Sequence, residues 1–322
     1  MSSESAVLVG DVGGTHARFA IVEPAPFAIE ARMELPADDF ESFEAALGAY
    51  LDGLGTVERP KAAAIGVAGP VGRGAVTFTN RDWRASEAGL RKLGFERALL
   101  INDFAAVAFS ITALGHDDVR ALGPEREGAE DEPITVLGAG TGFGVACLAR
   151  FRGVSLPIAT EGGHASFAPQ TEEETEVARV LARRFGHVSI ERVVSGPGLA
   201  SLHSALCEIA DCNAPELAAA DIVREAEAGD AICARALDMF CAIFGSVAGD
   251  FALAHGARAG VYIAGGIARK IEKKLDASTF RARFENKGRM SNYVKAIPTR
   301  LILHEDAAFL GAALALRKFA RD

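Results

Sequence analysis

The sequence predicts an α/β protein of two lobes, on three observations. Short apolar runs that end in glycine alternate with segments of helical spacing, first through residues 1–114 and again from residue 134. The 322 residues exceed one typical domain and suit two. A pattern of apolar strand, glycine turn and second strand also occurs twice, at 7–22 and at 134–149. Each turn holds a threonine beside glycine, in Gly13-Gly14-Thr15 and Gly140-Thr141-Gly142. Two similar lobes facing each other would set these turns on opposite sides of one cleft.

Taken in order, residues 6–10 and 18–22 are β-type runs around a Gly-Gly turn and read as a hairpin. Residues 38–51 have helical spacing, with Phe40, Phe43, Ala46, Leu47 and Tyr50 on one side. A fully apolar strand at 62–68 ends in Gly69-Pro70. Another, at 98–101, ends at Asn102-Asp103 and runs into the apolar segment 104–114. This alternation predicts a mixed sheet covered by helices. The polar stretch 115–133, rich in Gly and Glu, is expected to be the hinge. The second cycle then has a strand at 134–137, a glycine-rich turn at 138–144 and a returning strand at 145–149. Thr171 followed by Glu172, Glu173 and Glu174 reads as a capping box opening a helix that ends near Gly186. A long apolar helix is expected over Ala231–His255. The strand Gly260–Ala264 runs into Gly265-Gly266, and a helix at 307–317 comes last.

Composition narrows the function classes. With 49% hydrophobic and 24% charged residues the chain is ordinary globular protein, large enough to bury a core without disulfides or metals. The net charge of -9 argues against nucleic acid, whose phosphates need clustered Lys and Arg. ATP is still admissible, because backbone N–H groups and Mg²⁺ can supply the positive field. Five cysteines without CxxC spacing (Cys147, Cys207, Cys212, Cys233, Cys241) read as reduced, mostly buried thiols. Residues 1–9 carry Glu4 and no basic residue, so they are not a signal peptide. No stretch reaches the ~18 apolar residues of a membrane-spanning helix, and a cytoplasmic protein is expected.

The candidate chemistry sits at the ends of apolar strands, where ligands bind in α/β sheets. In Gly10-Asp11-Val12-Gly13-Gly14-Thr15 the glycines let backbone approach an anion and Thr15 offers a hydroxyl. Asp11 could hold Mg²⁺ directly or through water. The two glycines alone would equally make a plain hairpin turn. In Gly138-Ala139-Gly140-Thr141-Gly142-Phe143-Gly144, glycines at alternate positions would weaken an ordinary strand, and a phosphate against the backbone would explain them. Neither turn is a P-loop, and Phe143 breaks the G-x-G-x-x-G pattern. Asp103 could act as a general base and Asn102 as a two-way hydrogen-bonding group, or the pair could only cap the next helix. Glu161 and His164 flank a Gly-Gly corner, and Glu191 stands just before Ser195-Gly196-Pro197-Gly198. Carboxylates with neutral donors suit a polyol. Zinc and esterase motifs are absent from the sequence.

Together and in this order, these stretches resemble the bacterial glucokinase family, within the hexokinase, actin and heat-shock ATPase superfamily. The resemblance runs over nearly the whole chain. It rests on Leu8-Val9-Gly10-Asp11-Val12-Gly13-Gly14-Thr15, Ile101-Asn102-Asp103-Phe104, Gly138-Ala139-Gly140-Thr141-Gly142 and Glu161-Gly162-Gly163-His164. It continues through Gly186-His187-Val188-Ser189-Ile190-Glu191-Arg192-Val193, Ser195-Gly196-Pro197-Gly198-Leu199 and Ile263-Ala264-Gly265-Gly266-Ile267.

The resemblance implies the two-lobed actin-like ATPase (ribonuclease H-like) fold, with a smaller α/β lobe (1–112 plus 301–322) and a larger α+β lobe (113–300) around a cleft. It implies that Gly10, Asp11, Val12, Gly13, Gly14 and Thr15, with Gly138, Gly140 and Thr141, grip the ATP phosphates, with Gly265 and Gly266 near the adenosine. Asn102, Asp103, Glu161, His164 and Glu191 would hydrogen-bond glucose, with Asp103 as catalytic base and Mg²⁺ as cofactor. The resemblance leans towards a homodimer. His16 departs from it, standing where the family commonly has Asn, which leaves the phosphate-side geometry there less defined.

The reaction so implied is ATP plus D-glucose giving ADP plus glucose 6-phosphate. The nearer alternative is a kinase for fructose, mannose or an N-acetylhexosamine. The more distant is a sugar sensor or nucleotide-dependent chaperone on the same fold. A sensor is expected to carry an added DNA-binding segment, for which the motif starting at Gly10 leaves no room upstream. A chaperone has no use for Asn-Asp, Glu-Gly-Gly-His and Glu191 together.

Overall fold

The N-terminal hairpin forms where its side chains demand it. Strand β1 (Val7–Val12) is buried almost throughout and pairs antiparallel with β2 (His16–Pro24), closed by a turn in which Gly13 N–H donates to the His16 carbonyl at 3.0 Å. In the computed structural model, residues 6–24, 27–55, 59–78, 81–212 and 215–320 are described. The signal-peptide reading of residues 1–9 therefore falls largely outside the described residues, as do the extreme ends of the small lobe expected from sequence.

The chain continues through β3 (Phe27–Pro36), α1 (Phe43–Gly53), β4 (Ala62–Val67), β5 (Ala75–Thr77), β6 (Arg84–Ser86), α2 (Glu87–Lys92), β7 (Arg97–Asn102) and α3 (Asp103–Ser110). Next come β8 (Val119–Ala121), β9 (Ile134–Ala139), β10 (Phe143–Phe151), β11 (Val154–Thr160), α4 (Glu172–Phe185), α5 (Gly196–Ile209), α6 (Ala219–Ala228) and α7 (Ala231–His255). The last elements are β12 (Gly260–Ala264), α8 (Gly266–Lys270), α9 (Glu272–Ala277), α10 (Phe280–Glu285), α11 (Ser291–Lys295), β13 (Thr299–Ile302) and α12 (Ala307–Phe319).

Two compact units result. The first comprises Met1–Gly115, Ser155–Ala159 and His304–Asp322; the second comprises His116–Val154 and Thr160–Leu303. The first unit holds a five-stranded sheet in the order β3-β2-β1-β4-β7, where β1, β4 and β7 run parallel and β3, β2 and β1 alternate in direction. The second sheet has the order β11-β10-β9-β12-β13-β8, again with one antiparallel hairpin (β9 and β10) feeding a parallel run (β9, β12, β13). The internal echo in the sequence is thus a repeated topology.

Each unit has its own core. In the first, α12 lays Phe309, Ala312, Ala313 and Leu316 on one face of the sheet against Val7, Val9, Ala62 and Ala64. The other face packs on α1 through Phe43, Leu47 and Tyr50. In the second, α7 is the central helix, and Phe240 and Phe244 meet Leu181, Leu202 and Phe280 in one cluster. Burying a side chain such as Phe244 is worth about 1.5–3 kcal/mol.

Four sequence expectations are corrected or narrowed. The first helix begins at Phe43, not residue 38: Ser42 caps it by accepting from Ala45 N–H at 3.1 Å, and Phe40 is extended. The stretch 115–133, expected as the hinge, begins where the two units divide, at Gly115 and His116, and also contains β8, which pairs with β13. The apolar segment 104–114 is helical only to Ser110, after which Thr112 Oγ1 donates to the Phe109 carbonyl at 2.8 Å and the chain turns away. Lastly, α7 is long and apolar enough to cross a membrane, contrary to the expectation that no stretch is. Its most apolar stretch is 72% buried, which makes it the core helix of its unit.

The capping box at Thr171 is half formed. Thr171 accepts from Glu174 N–H, but the Glu174 carboxylate takes Gln170 N–H at 2.7 Å and pairs with Arg283 instead of reaching back to Thr171.

Candidate functional site

In the first unit the parallel strands bring two carboxylates to the same end of the sheet. Asp11 on β1 is level with Gly66 on β4, and Gly66 with Ile101 on β7. Asp103 follows two residues later as the first residue of α3. The intervening strand offers no side chain at this level. A Cβ at Gly66 would stand 3.3 Å from the Gly10 carbonyl oxygen and 3.7 Å from Asp103 Cα, so glycine there lets the backbones of β1 and the start of α3 come close.

Asn102 is the helix cap that its sequence position allowed. Its Oδ1 accepts from Ala105 N–H at 3.0 Å, its Nδ2 donates to the Gly69 carbonyl at 3.3 Å, and the residue is buried. Asp103 Oδ1 accepts from Phe104 N–H at 2.8 Å, which fixes the carboxylate at the helix N-terminus, where the helix dipole favours negative charge. Asn102 therefore orients Asp103 through the backbone they share.

Asp11 is ion-paired with Arg18, its cross-strand neighbour on β2. Burial raises the Asp11 carboxyl above its ordinary range, and Arg18 opposes that rise by charge and hydrogen bond. Among the described residues no group of three or more His, Cys, Asp or Glu could hold a metal ion by itself. A single carboxylate nevertheless fits Mg²⁺, which commonly keeps its waters and takes one or two carboxylates beside substrate phosphates.

The turn after β1 is held from outside by a residue that the sequence did not single out. Arg81 donates from Nε and Nη2 to the Gly14 carbonyl at 3.1 and 2.5 Å, and from Nη1 to the Ala37 carbonyl at 2.8 Å. Its guanidinium lies 4.6 Å from the centroid of the Trp83 ring. No local pattern announces such a contact across 67 residues. Neither Gly13 nor Gly14 has a positive φ, so a left-handed conformation is not what selects glycine there. A side chain at Gly13 would meet only the His16 carbonyl, at 3.9 Å. His16, the departure from the family pattern, places Nδ1 3.1 Å from Thr15 Oγ1 and leaves Thr15 exposed.

In the second unit the glycine-rich segment divides by cause. Gly138 lies in β9, and a Cβ there would sit 2.3 Å from the Ala264 carbonyl oxygen. A Cβ at Gly142 would strike Glu191 Oε2 at 2.5 Å. A Cβ at Gly140 would meet nothing within 4 Å, so the fold itself gives no reason for glycine at that point. The turn proper is short, with Gly140 N–H donating to the Gly142 carbonyl at 2.8 Å. Thr141 at its tip is exposed. The expected turn at 138–144 is therefore narrower, its flanks belonging to β9 and β10.

Two helix starts lean on this turn. Gly196 N–H, at the first residue of α5, donates to the Gly140 carbonyl at 2.8 Å, with Ser195 as cap. Gly265, which precedes α8, has φ 94 and lies so close to Ala139 that a Cβ would be 2.4 Å from its carbonyl oxygen. Gly266 beside it faces open space. Ser195 and Gly196 were visible in sequence as a motif, yet their place against the glycine turn was not.

The carboxylates of this unit gather at the same place. Glu191 Oε2 accepts from Phe143 N–H at 2.8 Å, so its carboxylate rests on the turn. Glu161 and His164 bracket a 3₁₀ turn (Gly162–His164), with Oε2 and Nε2 3.9 Å apart and both side chains more than half exposed. This Gly-Gly corner is packed: a Cβ on Gly163 would meet the Phe143 carbonyl at 2.0 Å. Backbone pairing of Ala165 with Ile190 and of Phe167 with Val188 ties the corner to Glu191. The structure thus brings Gly138, Gly140, Thr141, Glu161, His164, Glu191, Gly265 and Gly266 together in the second unit. Asp11 to Thr15, Asn102 and Asp103 are gathered in the first.

Comparison with known proteins gives this geometry a context. A family model described as Glucokinase matches residues 8–319. The chain is 48% identical over 313 residues to a glucokinase of Caulobacter sp. (strain K31), covering 96% of this chain and 94% of that protein. Among solved structures, a glucokinase from an Antarctic psychrotroph superposes with a TM-score of 0.84 at 37% identity, over 97% of this chain and 99% of that one. A ROK family glucokinase from Streptomyces griseus, solved with glucose and AMPPNP, shares the fold at a TM-score of 0.69 and 18% identity, over 97% of this chain and 99% of that one.

Proposed function

This chain belongs to the glucokinase family, and we propose that it transfers the γ-phosphoryl group of ATP to the 6-hydroxyl of D-glucose with Asp103 as general base. The observation that carries the reading is the placement of Asp103. It begins a helix at the carboxyl end of a buried parallel strand, held by an Asn102 cap, at the sheet end where Asp11 also stands.

Phosphoryl transfer asks the protein mainly to position groups and stabilise charge. Exposed Thr15 and Thr141 offer hydroxyls at the two glycine turns, and the absence of side chains at Gly13 and Gly140 lets phosphate oxygens approach the backbone. Gly265 and Gly266 border the second turn on the side we assign to the adenosine. Asp11 would hold Mg²⁺ through water, and the bound ion supplies positive charge to the phosphate oxygens.

On the sugar side, Asn102, Glu161, His164 and Glu191 supply acceptors and donors for vicinal hydroxyls. Asp103 accepts the proton of the attacking hydroxyl, a role worth about 10²–10⁴ in rate. Glu191, resting on Phe143 N–H, couples the sugar-side carboxylates to the glycine turn. A soluble, cytoplasmic homodimer is part of the same reading. The sugar is tested by an ADP-release assay across glucose, fructose, mannose and N-acetylhexosamines. Glucose is expected to give the highest kcat/KM, and a tenfold preference for another hexose would replace it as the substrate.

A further inference from the structure

We propose that Cys207 and Cys212 are a thiol-modification site, closing to a reversible disulfide when a hydroperoxide reaches the C-terminal end of α5. The helix ends in an arrangement that forces the two residues together. Asp211 adopts φ 52, Cys212 N–H donates to the Cys207 carbonyl at 3.0 Å, and Asp211 N–H donates to the Glu208 carbonyl at 3.3 Å. These are the paired 6→1 and 5→2 bonds of a Schellman ending, which sets the side chain just past the helix against the one a turn inside it. Here both of those residues are cysteines. A disulfide needs Cα atoms ~4.4–6.8 Å apart, a spacing that a direct backbone hydrogen bond between two residues readily provides.

The other groups around the pair suit the reaction. His203, one turn earlier on α5, places Nε2 3.7 Å from Cys207 Sγ. Burial holds the imidazole below its ordinary value, with Asp230 opposing, so it is a neutral proton acceptor. Cys212 is half-buried and Cys207 buried, so an oxidant meets Cys212 first. Cys233 belongs to the first turn of α7, where its N–H donates to Asp230 Oδ1 at 2.8 Å, and it lies outside this helix ending. Burial and Cys212 push the Cys207 thiol up to about 11, which suits a resolving thiol that is deprotonated only as it attacks.

The chemistry balances in two steps. The Cys212 sulfur attacks the peroxide, the O–O bond breaks, and a sulfenic acid and one water (or alcohol) form. The Cys207 sulfur then attacks the Cys212 sulfur, its proton passing to His203 and on to the departing hydroxide, which leaves as water. Two electrons move from the thiols to the peroxide.

The test treats the reduced full-length protein with hydrogen peroxide, blocks remaining thiols and maps the peptides by mass spectrometry. The expected result is a loss of about 2 Da with a Cys207–Cys212 cross-link, reversed by dithiothreitol. Cys212→Ser should abolish the cross-link while leaving phosphoryl transfer unchanged. His203→Gln should slow closure severalfold and let dimedone trap the Cys212 sulfenic acid. Gain of about 16 or 32 Da at Cys212 without a cross-link, a cross-link through Cys233, or no thiol loss in the wild-type protein would overturn the proposal. An unchanged closure rate in His203→Gln would remove His203 from it.

Discussion

Gly138 and Gly140 stand two residues apart and answer to different forces. A methyl group on Gly138 would collide with the backbone of β12, whereas one on Gly140 would enter open space. Gly138→Ala is therefore expected to lose about 1–3 kcal/mol from overpacking, read as a clear fall in Tm. Gly140→Ala should stay within about 0.5 kcal/mol of the parent in stability while raising the KM for ATP. Equal destabilisation by both, with ATP affinity intact, would mean that Gly140 also serves only the fold. The residue types of this site were legible in the sequence, but their separate causes were not. Spacing shows that glycines alternate; it cannot show that Ala264, 126 residues from Gly138 in the chain, lies against one of them. The Asp11–Arg18 pair was closer to legible, because a hairpin turning at 13–16 puts those residues opposite each other.

Among the elements, α3 shows how one cap serves two purposes. Asn102 satisfies Ala105 N–H and thereby sets the direction in which Asp103 leaves the helix. Asn102→Ala is expected to cost about 0.5–2 kcal/mol, the usual value of an N-cap. Chemical denaturation without ligand would measure it, and a loss under about 0.2 kcal/mol would remove the cap from the account. Elements with strong local signals were read well. Helix α7 spans Ala231–His255 as expected, because Asp230 accepts from Cys233 N–H at one end and Gly256 turns left-handed at the other. Strand β3 was missed. It lies at a sheet edge with mostly exposed or half-buried residues, so it lacks the apolar run that marked β1 and β4.

For the whole molecule, a half-buried and a buried histidine, His255 and His203, shape the response to acid. His255 on α7 places Nδ1 2.9 Å from Thr135 Oγ1, and burial lowers its pKa below the ordinary 6.5. It stays neutral in the folded state while the unfolded chain takes up a proton below that value. Stability is thus full above pH 6.5 and falls as the pH drops from there through the lowered folded pKa. His203, also lowered by burial, acts in the same direction. His255→Gln should flatten the fall in Tm between about pH 6.5 and 5, and an unchanged pH profile would show that other groups dominate. The two-unit plan was legible because strand, glycine turn and strand recur, and both sheets carry that hairpin into parallel strands. The membership of Ser155–Ala159 in the first unit was not, since only tertiary contacts decide it.

The central claim is that Asp103 takes the proton from the glucose 6-hydroxyl, and steady-state kinetics of Asp103→Ala with glucose and ATP test it most directly. The account predicts a fall in kcat of at least about a hundredfold with only a modest weakening of glucose binding. A variant with near-normal kcat would contradict it.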